Sequence, residues 1–149
     1  MPNAKPAESV EPRRGSSYPE PFNSRMGDRA KRRLGELFDL QQFGVNLVEL
    51  APGGQSALRH WHTREDELVY ILSGELVLVT NDGEQIVRAG DCAGFRSGIE
   101  DGHHLINRSS APARYLEVGT RFEDDMAFYP DDDMMWKHDK PHHKDGTPY

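Results

Sequence analysis

A single cysteine, Cys92, occurs in this chain of 149 residues, so no disulfide can close within it. Long apolar runs are missing too: none reaches the ~20 residues of a membrane-spanning helix, and no secretory leader core is visible. These absences set the expectation of a cytoplasmic protein without a membrane partner. Cys92 lies between Asp91 and Ala93 in a strand-like stretch, where the expected role is a small buried apolar residue. Positive charge is in short supply, with 18 Lys and Arg against 25 Asp and Glu and a net charge of −7. Binding nucleic acid requires a positive face, so that partner is excluded as the general function. The local exception, Arg13-Arg14 through Arg25, Arg29 and Lys31-Arg32-Arg33, reads as a solvated basic arm. No helix-turn-helix and no long helical period is present.

What the chain does have is a series of short runs rich in Val, Leu, Ile and Tyr. They are Val45 to Leu50, Glu67 to Leu72, Glu75 to Thr80, Gln85 to Arg88, His103 to Arg108 and Arg114 to Thr120. Pro52-Gly53-Gly54, Ser73-Gly74, Asn81-Asp82-Gly83 and Ala89-Gly90 separate them as turns. Asn81-Asp82-Gly83 between two Val-rich runs predicts a hairpin, because these residues tolerate positive φ. Regularly spaced short strands indicate an all-β sandwich or barrel. The division that follows is an N-terminal arm and first edge segment over 1–39, a β-barrel over 40–120 and an acidic tail over 121–149. Prolines 2, 6, 12, 19 and 21 make the first 27 residues an extended arm, whose Tyr18 and Phe22 can dock on the barrel or on a second subunit. The tail reads as irregular. Its Met134, Met135, Trp136 and Tyr149 make sense if it packs as a lid or partner arm, and its His138, His142 and His143 read as mobile surface residues.

The chemistry-bearing residues begin at His60-Trp61-His62. On an extended edge alternate side chains share a face, with Cα atoms about 6.6 Å apart, and two imidazoles can swing together onto one ion. Metal–nitrogen bonds of about 2.0–2.1 Å then bring the donor atoms close to one another. The polar run Thr63 to Asp66 is a bend that returns Glu67, the first residue of the next strand, toward the pair. Glu65 or Asp66 replaces Glu67 if the bend is shorter, and their ordinary role is a solvated acidic turn. His103 lies in His103-His104-Leu105-Ile106-Asn107 and meets the others only through tertiary folding. His104 alternates away from His103.

At these residues the chain resembles the cupin superfamily. Its first motif, Gly, five residues, His-x-His, three or four residues, Glu, six residues and Gly, is matched by Gly54, His60, His62, Glu67 and Gly74. The second begins at Gly90-Asp91 and is met by Gly98, His103 and Asn107. It departs twice: Arg96 stands at the position of a proline, and two extra residues separate Gly98 from His103. The resemblance, over about residues 40 to 120, implies an antiparallel jelly-roll β-barrel. It implies a divalent metal held by three His and one Glu, here His60, His62, Glu67 and His103. It also implies a homodimer, which agrees with the marginal core of a barrel of only about 80 residues.

A site of three imidazoles and a carboxylate leaves one or two open positions on the ion, and Fe, Mn, Ni and Zn all suit it. Water, a carboxylate, a diolate or oxygen can take those positions. The reading is an enzyme acting on a small polar organic molecule by oxygenase, isomerase or lyase chemistry. The alternative is a non-catalytic cupin that binds a metabolite around a structural or bridging metal. No residue presents itself as a dedicated general base. Tyr70, Arg59 and Arg96 are candidates for the surroundings of the ion, although strand alternation sets Tyr70 opposite to Glu67 and the two arginines read more readily as solvated.

Overall fold

A computed structural model of the chain describes residues 3–149, so Pro2 of the proline-rich arm lies outside the described residues. Thirteen strands follow one another: β1 (Arg13–Arg14), β2 (Arg29–Arg33), β3 (Phe43–Leu50), β4 (Trp61–His62), β5 (Glu67–Ser73), β6 (Glu75–Thr80), β7 (Gly83–Arg88), β8 (Cys92–Phe95), β9 (His104–Ile106), β10 (Ala113–Thr120), β11 (Met126–Tyr129), β12 (Met134–Lys137) and β13 (Lys140–His142). The helical elements among the described residues are three short 3-10 turns, and no helix is long and apolar enough to cross a membrane.

All named pairings are antiparallel, in three sheets ordered β1-β2-β3-β10-β5-β8, β7-β6-β9 and β13-β12-β11-β4. The first two sheets face each other across the main core, where Val48, Leu50, Val69, Ile71, Leu76 and Tyr115 are buried. Along β5 the pleat sends Val69 and Ile71 into that core and leaves Leu68, Tyr70 and Leu72 on the outer face, each more than two-fifths exposed. The β6–β7 hairpin turns on Asn81-Asp82 with Thr80 opposite Gly83, and the positive φ of 112° falls on Gly83. Gly74, between β5 and β6, has a φ of 79°, and a Cβ there would lie 2.8 Å from Ala113. Only glycine allows that approach, so the residue serves the shape of the barrel.

The ends of the chain depart from the expectation of an arm and an irregular tail. Residues 126–142 fold into β11, β12 and β13, and β11 pairs directly with β4. An apolar tetrad, Met126 to Tyr129, and an apolar triad, Met134 to Trp136, flank Pro130-Asp131-Asp132-Asp133 and form this structure, and their inward residues Ala127, Tyr129 and Met134 are buried. They join Phe22, Met26 and Leu58 in a second core, with Tyr18 and Trp136 packed against it. The docking of Tyr18 and Phe22 is therefore on the chain's own tail: the Tyr18 and Tyr129 rings meet edge to face with centroids 5.8 Å apart. The basic arm is committed to acidic neighbours, Arg13 and Arg33 to Glu36, Arg14 to Asp28, Arg32 to Glu8 and Lys31 to Glu117. Cys92 is exposed, contrary to the buried role expected of it, because it sits opposite Tyr70 on the outer face of the sheet, while Ala93 and Phe95 of the same strand turn toward the core.

Candidate metal centre

Backbone pairing assembles the centre before any side chain is considered. His60 and His103 form an antiparallel bridge, with N–H to carbonyl hydrogen bonds of 3.2 and 2.9 Å in the two directions. This bridge is the tertiary contact that the sequence left open, and it sets the two rings 5.1 Å apart. His62 follows on β4 with its ring 4.9 Å from that of His60. Glu67 begins β5 after the bend at residues 63–66, and as the inward partner of Val69 and Ile71 it enters the barrel. Its carboxylate lies 3.2 Å from His62 Nε2, 2.5 Å from His103 Nε2 and 4.0 Å from His60 Nε2. All four residues expected from the sequence thus meet at one point, and donor atoms of His60, His62 and Glu67 lie within 4.8 Å of one another.

The outward nitrogens decide what the inward ones offer. His60 Nδ1 is 2.7 Å from the Leu58 carbonyl, which only accepts, so Nδ1 carries the proton. Burial drives the pKa of His60 down to about 4 against the pull of Glu67, leaving a neutral ring with a bare Nε2 lone pair. That lone pair faces the Glu67 carboxylate in a buried site, an arrangement of two acceptors that calls for a cation. His62 Nδ1 is 2.6 Å from Asp125 Oδ2. Burial opposes the charge on His62, but acceptors on both sides, Asp125 and Glu67, outweigh it and hold the pKa at about 10. A proton on Nε2 therefore supplies the positive charge where no ion does. Burial likewise works against the Glu67 charge, yet the hydrogen bonds from His103 and His62 hold this carboxyl well below the usual range. His103 is held by a face-to-face stack on Phe95, centroids 3.6 Å apart, and its Nδ1 is buried without a hydrogen-bond partner. The donor set fits a divalent ion: neutral nitrogen and anionic oxygen ligands, outer partners on two histidines and a deficit of positive charge at the centre.

A cavity of about 240 Å³ opens beside these groups, lined by Trp61, His62, Glu65, Glu67, Phe95, Arg96, Ile99, Asp101 and His103. Arg96 and the lengthened segment between Gly98 and His103 are the two departures from the second motif, and Arg96, Ile99 and Asp101 line this cavity. Arg96 is exposed, and among the described residues no hydrogen bond or ion pair engages its side chain. Arg59 is tied down instead, by Asp131 at 2.8 and 2.9 Å, by Asn81 and by the Gly102 carbonyl. Tyr70 lies on the outer face, away from the site. Glu65 is not an alternative to Glu67 at the meeting point of the imidazoles. It lies beside His62 and Asp125, with one oxygen 3.1 Å from the Phe122 N–H. Burial pushes its carboxyl up, and the charges of Asp125 and Glu67 add to this.

His104 hydrogen-bonds the Ala57 carbonyl and stays outside the centre. In the tail, His142 contacts the Lys140 carbonyl, while His143 contacts Asp133 and stacks on Tyr149, so these two are held in β13 and its neighbours rather than free. The residue that sequence reasoning missed is Asp125, which stands in a tail of many acids where nothing distinguishes one from another. Its one signal is position, directly before the apolar tetrad that becomes β11.

Fold and site together define a cupin, and comparison with known proteins agrees. The cupin domain model matches residues 46–119. A crystal structure from Silicibacter pomeroyi, described as a sugar phosphate isomerase from a cupin superfamily, is 46% identical, covers 95% of this chain and 93% of that one, and superposes with a TM-score of 0.90. A structure from Acidithiobacillus ferrooxidans, provisionally given the same activity, is 26% identical over 78% of this chain and 75% of that one, with a TM-score of 0.72. The tetracenomycin polyketide synthase protein TcmJ of Streptomyces glaucescens is 36% identical over 69 residues, which span 46% of this chain and 44% of TcmJ. The chain belongs to the cupin superfamily.

Proposed function

We propose that this protein is a metal-dependent isomerase of a small phosphorylated sugar, with His60, His62, Glu67 and His103 as the ligands of a divalent ion. The observation that carries the metal is the convergence of three Nε2 atoms on the Glu67 carboxylate. The substrate class draws support from the extensive likeness to the Silicibacter pomeroyi protein, shared along nearly the whole chain. Cavity size points the same way. About 240 Å³ is below the ~300–1,000 Å³ of pockets that take drug-sized ligands, so a sugar phosphate suits it better than a polycyclic polyketide.

Aldose–ketose isomerisation requires polarisation of a carbonyl and its neighbouring hydroxyl, transfer of a proton between adjacent carbons, and an anchor for the anionic end. A bound divalent ion supplies the polarisation as a Lewis acid. Glu65, beside the centre and with its carboxyl pushed up by burial, is the group placed to carry the proton. Arg96 has a free guanidinium at the cavity wall and takes the phosphate by paired hydrogen bonds. Phe95 and Trp61 add apolar surface to the cavity lining and limit water at the reacting carbons. The outer row Leu68, Tyr70 and Leu72 supports a homodimer through the β5 face.

The test is a panel of aldose and ketose phosphates incubated in deuterated water with protein loaded in turn with Fe(II), Mn(II), Ni(II) and Zn(II). Isomerisation with deuterium entering at the carbon next to the carbonyl is the expected result. Oxygen uptake without isomerisation would move the assignment to an oxygenase. Stoichiometric metal with no turnover on any compound would favour the non-catalytic metabolite-binding cupin.

A further inference from the structure

The family match ends at residue 119, yet the segment beyond it makes three side-chain contacts with His60-Trp61-His62. The Phe128 ring stacks on Trp61 with centroids 5.1 Å apart, and the Tyr129 ring lies 5.4 Å from that of His60. The third contact is polar. Asp125 presents both oxygens to the centre's frame: Oδ2 accepts from His62 Nδ1 at 2.6 Å, and Oδ1 accepts from the backbone N–H of Arg64 at 2.9 Å and of Glu65 at 3.2 Å. The pairing of β11 with β4, with Ala127 opposite His62 and the Thr63 N–H bonded to the Met126 carbonyl at 2.9 Å, fixes where this carboxylate stands.

We propose that Asp125 is a positioning residue of the metal centre, so that the tail after the barrel is part of the site and not an appendage. One oxygen keeps the His62 proton on Nδ1, which leaves Nε2 to face the ion. The other caps the two backbone N–H groups at the bend, which sets the path by which the chain returns with Glu67. The two tasks need two acceptors on one side chain, and a carboxylate is the residue that provides them. This inference rests on the ligand assignment proposed above.

Asp125→Asn in the full chain separates the possibilities, because an amide has a single acceptor oxygen. If that oxygen keeps the backbone N–H groups, the amide NH2 faces His62 and forces the ring to accept at Nδ1, with its proton on Nε2. If the amide turns over, its NH2 confronts two N–H donors at the bend. Zinc affinity, measured by competition with a chromophoric chelator, is expected to fall about 10- to 100-fold. The His62 Nε2 resonance of the zinc-loaded protein, assigned by 15N NMR, is expected to leave the metal-bound position. Asp125→Glu keeps both acceptors and retains His62 on zinc with a smaller loss. Asp124→Asn, which alters an exposed pair with Arg64, leaves affinity within about twofold and controls for charge alone. An Asp125→Asn protein with unchanged zinc affinity and an unchanged His62 resonance overturns the inference, whatever its melting temperature. Failure of the wild-type protein to bind zinc would instead remove the ligand assignment on which it stands.

Discussion

Metal binding to this protein should release a proton from a ligand that is charged in the metal-free state, and the release sets the pH dependence of affinity. His62 is held at a pKa of about 10 because Asp125 and Glu67 together outweigh the burial that opposes its charge. At pH 8 the ring is therefore an imidazolium, and a metal ion can reach Nε2 only by displacing a proton. His60, near 4, and Glu67, well below the usual carboxylate range, are already deprotonated there and release none. Each unit rise in pH from 7 to 9 is then expected to strengthen binding about tenfold through His62. The metal-free protein responds in the opposite sense. Its folded-state pKa is raised above the unfolded value of 6.5, so the stabilisation is complete below 6.5 and is lost as pH rises through 10. The slope in that window is a loss of about 1.4 kcal/mol per pH unit. Calorimetric titration with Zn(II) in two buffers of different ionisation enthalpy reads the proton count, and urea unfolding of metal-free protein reads the slope. Binding enthalpy that is the same in both buffers at pH 8, with affinity flat from pH 7 to 9, would refute the charged His62 and the reasoning built on it.

Replacing His62 by Ala is expected to lower metal content by more than tenfold in elemental analysis, while His104→Ala and His142→Ala leave it unchanged; equal losses in all three would place the site elsewhere. Gly74→Ala forces a side chain into the left-handed region against Ala113, and should cost about 2–4 kcal/mol in urea unfolding and roughly 5–15 °C in melting temperature. Arg96→Gln should raise KM for a phosphorylated substrate at least tenfold, with little effect on kcat or on metal content, since the guanidinium contacts none of the proposed ligands. Leu68→Asp, on the exposed row of β5, should shift the protein from dimer to monomer in sedimentation equilibrium; a monomeric wild type would dispose of that interface.

The central strands were legible because they are short, rich in β-branched residues and punctuated by glycine. What composition did not disclose is which side of β5 is which, since Leu68, Tyr70 and Leu72 are as apolar as the inward Val69 and Ile71. The pleat resolves this only once Glu67 is placed inside the barrel. Strands β11 to β13 were hidden for another reason. Each is three or four residues long, and the burial of Tyr129 and Met134 depends on Phe22, Met26 and Leu58 from distant parts of the chain. A strand whose partner is assembled elsewhere carries almost no local signature. The exposed Cys92 illustrates the same limit, because its exposure follows from the pairing that sets it opposite the outward Tyr70, a register its neighbours in sequence do not reveal.

The candidate site divides along the same line. His60, His62 and Glu67 lie within eight positions of one another, so period-2 geometry and one bend suffice to bring them together. His103 requires a bridge between chain segments 43 residues apart, which the motif resemblance supplied and spacing could not. Asp125 belongs to neither case: it is 63 residues from His62, outside the matched domain, and it resembles every other acid of the tail. Yet it is this carboxylate that holds the proton on His62 Nδ1 and leaves Nε2 facing the centre. The ligands are thus written in the barrel's own sequence, whereas their orientation depends on a partner recruited from the tail. A variant ending at residue 120 would keep all four proposed ligands and lose the group that aims one of them.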